Sequence, residues 1–168
     1  MKTLSSSAVA FLFNNDKVLL LKRAASRTIA PNVWSGIGGH FEESEINTPL
    51  IACYREVLEE TGIEDKDIFN LELKYVVLRM ARNEIRQHYV YFGKTNKTDI
   101  IETKEGDLHW VLIDDMLNRD FTMTFKLMLE HFTSIGNKNN LIYAGVVLIN
   151  NGRLNINWTV LEDTEKLN

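Results

Sequence analysis

Arg55-Glu56-Val57-Leu58-Glu59-Glu60-Thr61-Gly62-Ile63 is the stretch on which the reading of this chain turns. Thr48 stands in a good N-cap position, Pro49 suits the first helical position, and Gly62 suits the stop, so the pattern predicts a helix over 49–61. At about 100° per residue, with Glu56 at zero, Glu60 falls near +40° and Glu59 near −60°. The three carboxylates therefore share one arc. Leu50, Ile51, Tyr54, Val57, Leu58 and Thr61 fall on the opposite side, the side expected to pack on a sheet. Like charges at i,i+4 each cost about 0.2–0.5 kcal/mol. Arg55 can answer Glu59 at i,i+4, but one cation does not neutralise three acids. Two readings follow: a solvated acidic face, or a ridge that holds a divalent cation. Magnesium takes hard oxygen ligands from a few carboxylates plus substrate phosphates. No Cys or His cluster competes, because Cys53 is the single cysteine and His40, His88, His109 and His131 are scattered.

Just upstream stands Gly38-Gly39-His40-Phe41-Glu42-Glu43-Ser44-Glu45, where glycines allow a close backbone approach before the acidic helix. Farther out, 9–13 and 17–22 read as a hairpin about Asn14-Asn15-Asp16, and 24–33 as loop. Residues 71–80 and 84–95 read as two long paired strands, and 108–113 as another. Phe121, Phe125, Met128 and Phe132 recur at helical spacing, with Asp120 as the expected cap. Residues 141–149 and 153–160 flank Asn151-Gly152, a strong hairpin signal. The fold class expected is α+β, a mixed sheet flanked by helices in an α-β-α sandwich, not a repeated βαβ pattern. One domain over 1–168 is expected, with a core over about 8–132 and a C-terminal hairpin over about 139–162.

Composition agrees. Of 168 residues, 45% are hydrophobic and 25% charged, ordinary for a globular domain and unlike a disordered, collagenous or disulfide-stapled chain. The net charge of −4 is unevenly placed. Residues 1–41 hold five basic residues against Asp16; residues 42–72 hold ten acids against Arg55 and Lys66. That excludes the basic stripe of a nucleic-acid binder and suits a cation beside an anionic small molecule. No apolar run reaches the ~20 residues of a bilayer helix or resembles a signal peptide, so no membrane partner is expected. A lone cysteine fits a reducing, cytoplasmic setting.

The stretch from Gly39 to Ile63 resembles the signature of the Nudix hydrolases, Gly-x5-Glu-x7-Arg-Glu-U-x-Glu-Glu-x-Gly-U, with U aliphatic. Gly39, Glu45, Arg55, Glu56, Val57, Glu59, Glu60, Gly62 and Ile63 fill the named positions. One departure is plain: nine residues, not seven, separate Glu45 from Arg55, and the extra two lie in the approach to the helix. The likeness extends over about 8–132, through Leu20-Leu21-Lys22-Arg23, Trp34, and Glu105-Gly106-Asp107-Leu108-His109-Trp110.

The resemblance implies a fold and a chemistry. Nudix enzymes cleave a nucleoside diphosphate linked to a group X, using Mg²⁺ or Mn²⁺. It implies that the Gly38 carbonyl and the carboxylates of Glu56, Glu59 and Glu60 hold metal, with Glu105 a further acid that ligates or assists the water. Arg55 would orient the acids, and Glu45 would be its structural partner. Arg23, Trp34 and Gly39 would meet substrate; the alternatives are a core position for Trp34 and a surface arginine for Arg23. Cys53 reads as a small packing residue. The leading expectation is hydrolysis of a nucleoside triphosphate, such as the oxidised 8-oxo-dGTP, to monophosphate and pyrophosphate. The alternatives are an ADP-ribose-type pyrophosphatase and a nucleotide-sensing module without turnover, the last disfavoured because every signature acid is present. The hairpin would add strands, make a homodimer interface or cover the site.

Overall fold

Each hairpin turns where a residue tolerates the left-handed region. In the computed structural model Asn15, Arg82, Asn151 and Gly152 all have positive φ, and each sits between two paired strands. The structure describes residues 1–168 apart from Arg27, Ile29, Glu102 and Asn168, and without the Leu167 side chain. The loop expected over 24–33 is seen as such at its described residues; Arg27 and Ile29 lie outside them.

In chain order the strands are β1 (Thr3–Asn14), β2 (Lys17–Arg23), β3 (Trp34–Ser35), β4 (Ile37–His40), β5 (Ile68–Ala81), β6 (Glu84–Thr95), β7 (Gly106–Leu112), β8 (Ile142–Asn150) and β9 (Arg153–Leu161). Two α-helices, α1 (Pro49–Thr61) and α2 (Met123–Ser134), interrupt them. One sheet runs β3-β2-β1-β6-β5-β8-β9, with β4 added to β1 and β7 to β2. The pairs β1–β6 and β5–β8 are parallel and the rest antiparallel, so the expected mixed sheet flanked by helices is what forms. The hairpin adds strands: β8 docks on β5, and β9 is the last in order.

Successive side chains on a strand point to opposite faces, so β1 feeds two cores. Val9 and Phe11 join Tyr75, Val77, Val90, Phe92, Met128 and Leu129 beneath α2. Ala8, Ala10 and Leu12 join Ile37, Ala52, Cys53, Val57 and Tyr91 beneath α1. On the α2 side, Ser7 Oγ and His88 Nδ1 lie 2.7 Å apart, and burial, aided by Arg79 and Arg86, pushes His88 down to about 4. His131 Nδ1 lies 2.9 Å from the Tyr75 hydroxyl. The second helix does not start on Asp120: it begins at Met123 with Thr122 in the cap position, and the Asp120 carbonyl instead accepts the Trp34 N–H at 2.9 Å. The tie to β3 holds Asp120 in the approach rather than on the helix.

Candidate active site

The helix bounds match the local signals. Pro49 opens α1, and Gly62 closes it with φ 75°, its N–H donating to the Leu58 carbonyl at 2.9 Å. Thr48 occupies the cap position without a side-chain capping bond; its hydroxyl turns back to the Glu45 carbonyl at 3.4 Å.

The buried face of α1 is not the one apolarity predicts. Ala52, Cys53, Val57, Glu60 and Thr61 are buried, whereas Leu50, Ile51 and Leu58 are exposed. The helix is rotated so that two of its acids meet the sheet. Glu60 is 7% exposed. The Glu56 side chain is 12% exposed and that of Glu59 57%, so the three carboxylates span inside to outside. Small side chains at Ala52 and Cys53, both fully buried, let the helix lie close on the sheet. Cys53 is packing, as expected: burial pushes its thiol up to about 12, far from reactive.

Arg55 ties the acids together. Its Nε donates to Glu45 Oε1 at 2.7 Å and a terminal nitrogen to Glu45 Oε2 at 2.9 Å, a bidentate pair. The other terminal nitrogen reaches Glu56 Oε1 at 2.9 Å and Glu59 Oε2 at 3.0 Å. The His40 carbonyl accepts a further bond at 3.2 Å. The two extra residues before the helix therefore leave Glu45 on its partner. Glu45 is 5% exposed, and the Arg55 hydrogen bonds hold its carboxyl below the usual carboxylate range.

The glycines serve this arrangement. A Cβ on Gly39 would stand 2.6 Å from Glu56 Oε2, so the approach expected at Gly39 is made by the Glu56 carboxylate. The Gly38 N–H donates to Glu60 Oε2 at 3.0 Å. Even so, burial pushes Glu60 up to about 7, with Glu56 and Glu105 adding negative charge against the Gly38 bond and the Arg23 cation. Burial likewise raises Glu56, in spite of Arg55.

Glu105 precedes β7, where Gly106 pairs with Arg23 at the end of β2, and the Glu105 carbonyl accepts the Ala24 N–H at 3.0 Å. Arg23 and Glu105 thus share a corner, and both are felt electrostatically at Glu60. Trp34 is half-buried between the His109 ring, 5.2 Å away, and the Arg119 guanidinium, 5.1 Å from its ring. Arg119 has no signal in the sequence, yet its Nε, like that of Arg23, is buried without a hydrogen-bond partner among the described residues. Of the histidines, His109 lays its ring against Trp34, and His40 offers its carbonyl to Arg55.

As the side chains stand, no three described Asp, Glu, His or Cys residues converge on one coordination sphere, because Glu56 and Glu59 rest on Arg55. The donor set nonetheless fits a hard divalent cation. All the donors are oxygens, and the Glu60 carboxylate is buried, with the negative charges of Glu56 and Glu105 acting on it against the Gly38 N–H and Arg23. Among the described residues no helix is long and apolar enough to cross a membrane.

Comparisons with known proteins bear on the fold and the family. The MutT protein of Bacillus halodurans superposes with a TM-score of 0.67 over 92% of this chain and 97% of its own, at 20% identity. The NUDIX domain of Shewanella oneidensis NrtR, solved with ADP-ribose, gives 0.61 over 79% and 87%, at 20% identity. The m7GpppN-mRNA hydrolase NUDT17 of Danio rerio is 48% identical over 56 residues, which is 33% of this chain and only 18% of that protein's length. The profile of the NUDIX domain matches residues 3–132, and on that match the chain belongs to the NUDIX family.

Proposed function

We propose that the chain hydrolyses a nucleoside triphosphate to monophosphate and pyrophosphate, with an oxidised purine nucleotide such as 8-oxo-dGTP as the first substrate to try. Membership of the family supports hydrolysis of a diphosphate bond in a nucleotide derivative. The observation that carries the site assignment is the buried Glu60, held by the Gly38 N–H and flanked by the charges of Glu56 and Glu105. Family members generally use divalent metals such as Mg²⁺. Here the Gly38 carbonyl, Glu56, Glu59, Glu60 and Glu105 would hold Mg²⁺ or Mn²⁺, which when bound offsets the diphosphate charge and acidifies the attacking water.

The protein's own residues take the remaining roles. Glu56 is the first candidate to accept the water's proton, since burial already raises its proton affinity. Arg55 positions Glu56 and Glu59 and stays off the substrate. Arg23 meets the phosphates: its Nε is buried without a hydrogen-bond partner among the described residues, and its charge is felt at Glu60. Trp34, stiffened by Arg119, walls the nucleotide pocket. A small-molecule substrate and a cytoplasmic setting complete the proposal.

A nucleotide panel tests it, with product analysis for pyrophosphate against phosphate and Mg²⁺ in excess. Release of pyrophosphate from a triphosphate is expected. The second reading is ADP-ribose cleavage, favoured by the ADP-ribose bound in the NrtR neighbour; preference for ADP-ribose or for a capped dinucleotide would replace the triphosphate.

A further inference from the structure

β9 ends the sheet, and among the described residues no strand pairs with its outer side. Long edge strands are ordinarily broken by proline, a bulge or an inward charge, because their free N–H and C=O groups template pairing. β9 has none of these guards. Its nine residues, Arg153–Leu161, hold no proline, and 154–161 hold no charge. Its ladder with β8 is regular from Ile142↔Leu161 to Asn150↔Arg153. The outer backbone groups therefore stand in an unbroken row.

The strand also reads alike in both directions. About Asn157, Asn155 mirrors Thr159, Ile156 mirrors Trp158, and Leu154 mirrors Val160. Antiparallel pairing with a second copy, on a two-fold axis through Asn157, sets each of these residues against its mirror. Trp158 and Val160 are only half-buried at the margin of the α2-side core, Ile156 is half-buried and Leu154 is 39% exposed, so this apolar row is incompletely covered. Charge agrees: Arg153 opens the strand, and Glu162 and Asp163 follow its end. Antiparallel pairing brings each Arg153 beside the other copy's Glu162 and Asp163, whereas parallel pairing sets like ends together.

We propose that β9 is a homodimer interface, joining two copies into one continuous sheet. Main-chain hydrogen bonds supply the affinity, as in strand addition, and the mirrored pattern fixes the register. The contact is isologous and closed, so both exposed edges are used and growth stops at two.

Sedimentation velocity of the full chain across a wide concentration series tests this. A reversible monomer–dimer equilibrium is expected. Asn157→Lys, at an exposed position, sets two ammonium groups across the axis and should weaken the dimer about ten-fold or more while leaving the far-UV spectrum and Tm of the monomer unchanged. Arg153→Asp and Asp163→Arg should each weaken self-association, and their equimolar mixture should restore a dimer, because unlike charges then meet at both ends. A monomer at every concentration, an assembly larger than two, a dimer indifferent to Asn157→Lys, or a mixture no tighter than its components would overturn the proposal.

Discussion

Helices α1 and α2 cover opposite faces of one sheet and are built on opposite rules. α2 buries what its sequence marks as apolar: Met128 and Leu129 are fully buried, and Phe125 and Phe132 pack on the same core. α1 buries Glu60 and most of Glu56 while exposing Leu50, Ile51 and Leu58. The orientation of α2 is set by area removed from water. That of α1 is set by polar bonds: the Gly38 N–H on Glu60, and Arg55 on Glu45, Glu56 and Glu59. One helix holds the fold together; the other holds charges where water would not keep them.

Substitution on each helix should separate these roles. Glu60→Gln should lower turnover in saturating Mg²⁺ more than about 100-fold, since even residues that only support metal ligands are worth 10–100-fold. Its circular dichroism should match the parent protein. Met128→Ala or Leu129→Ala on α2 should do the reverse, costing about 2–5 kcal/mol in urea denaturation with kcat of the folded enzyme retained. Arg55→Ala leaves Glu45 buried without its cation and should cost about 3 kcal/mol by the same measurement.

pH sharpens the contrast. Glu60 binds its proton more tightly folded than unfolded, so its stabilising effect is present at low pH and lost as pH rises from about 4.5 to about 7. His88, depressed to about 4, acts oppositely: its stability is lost as pH falls from about 6.5. In metal-free protein the two slopes oppose. The stability of Glu60→Gln minus that of the parent should therefore climb through the Glu60 window by up to about 1.4 kcal/mol per pH unit. The smallest effect expected is at Leu58: Leu58→Ala should stay within about 0.5 kcal/mol, against several for Leu129→Ala.

The same contrast explains what the sequence discloses. The bounds of α1 rest on Pro49 and Gly62, and the hairpin turns on Asn15 and Asn151-Gly152, all local signals readable in one chain. The signature acids are legible because their spacing is helical. The face that α1 buries is not, since a wheel sorted by hydropathy takes Leu50, Ile51 and Leu58 as the inner side. What overrides it are contacts across the chain, from Gly38 to Glu60 and from Glu45 to Arg55. The parallel register of β1 on β6 is equally non-local, with Thr3 opposite Glu84. Arg119, stacked on Trp34, shows only once the approach to α2 is folded against β3.

Calorimetric titration of Mg²⁺ or Mn²⁺ near pH 7, in buffers of different ionisation heat, bears most directly on why α1 buries its acids. Cation uptake accompanied by proton release, with the release lost in Glu60→Gln, is the predicted result. No uptake in the parent protein, with or without a nucleotide present, would contradict it.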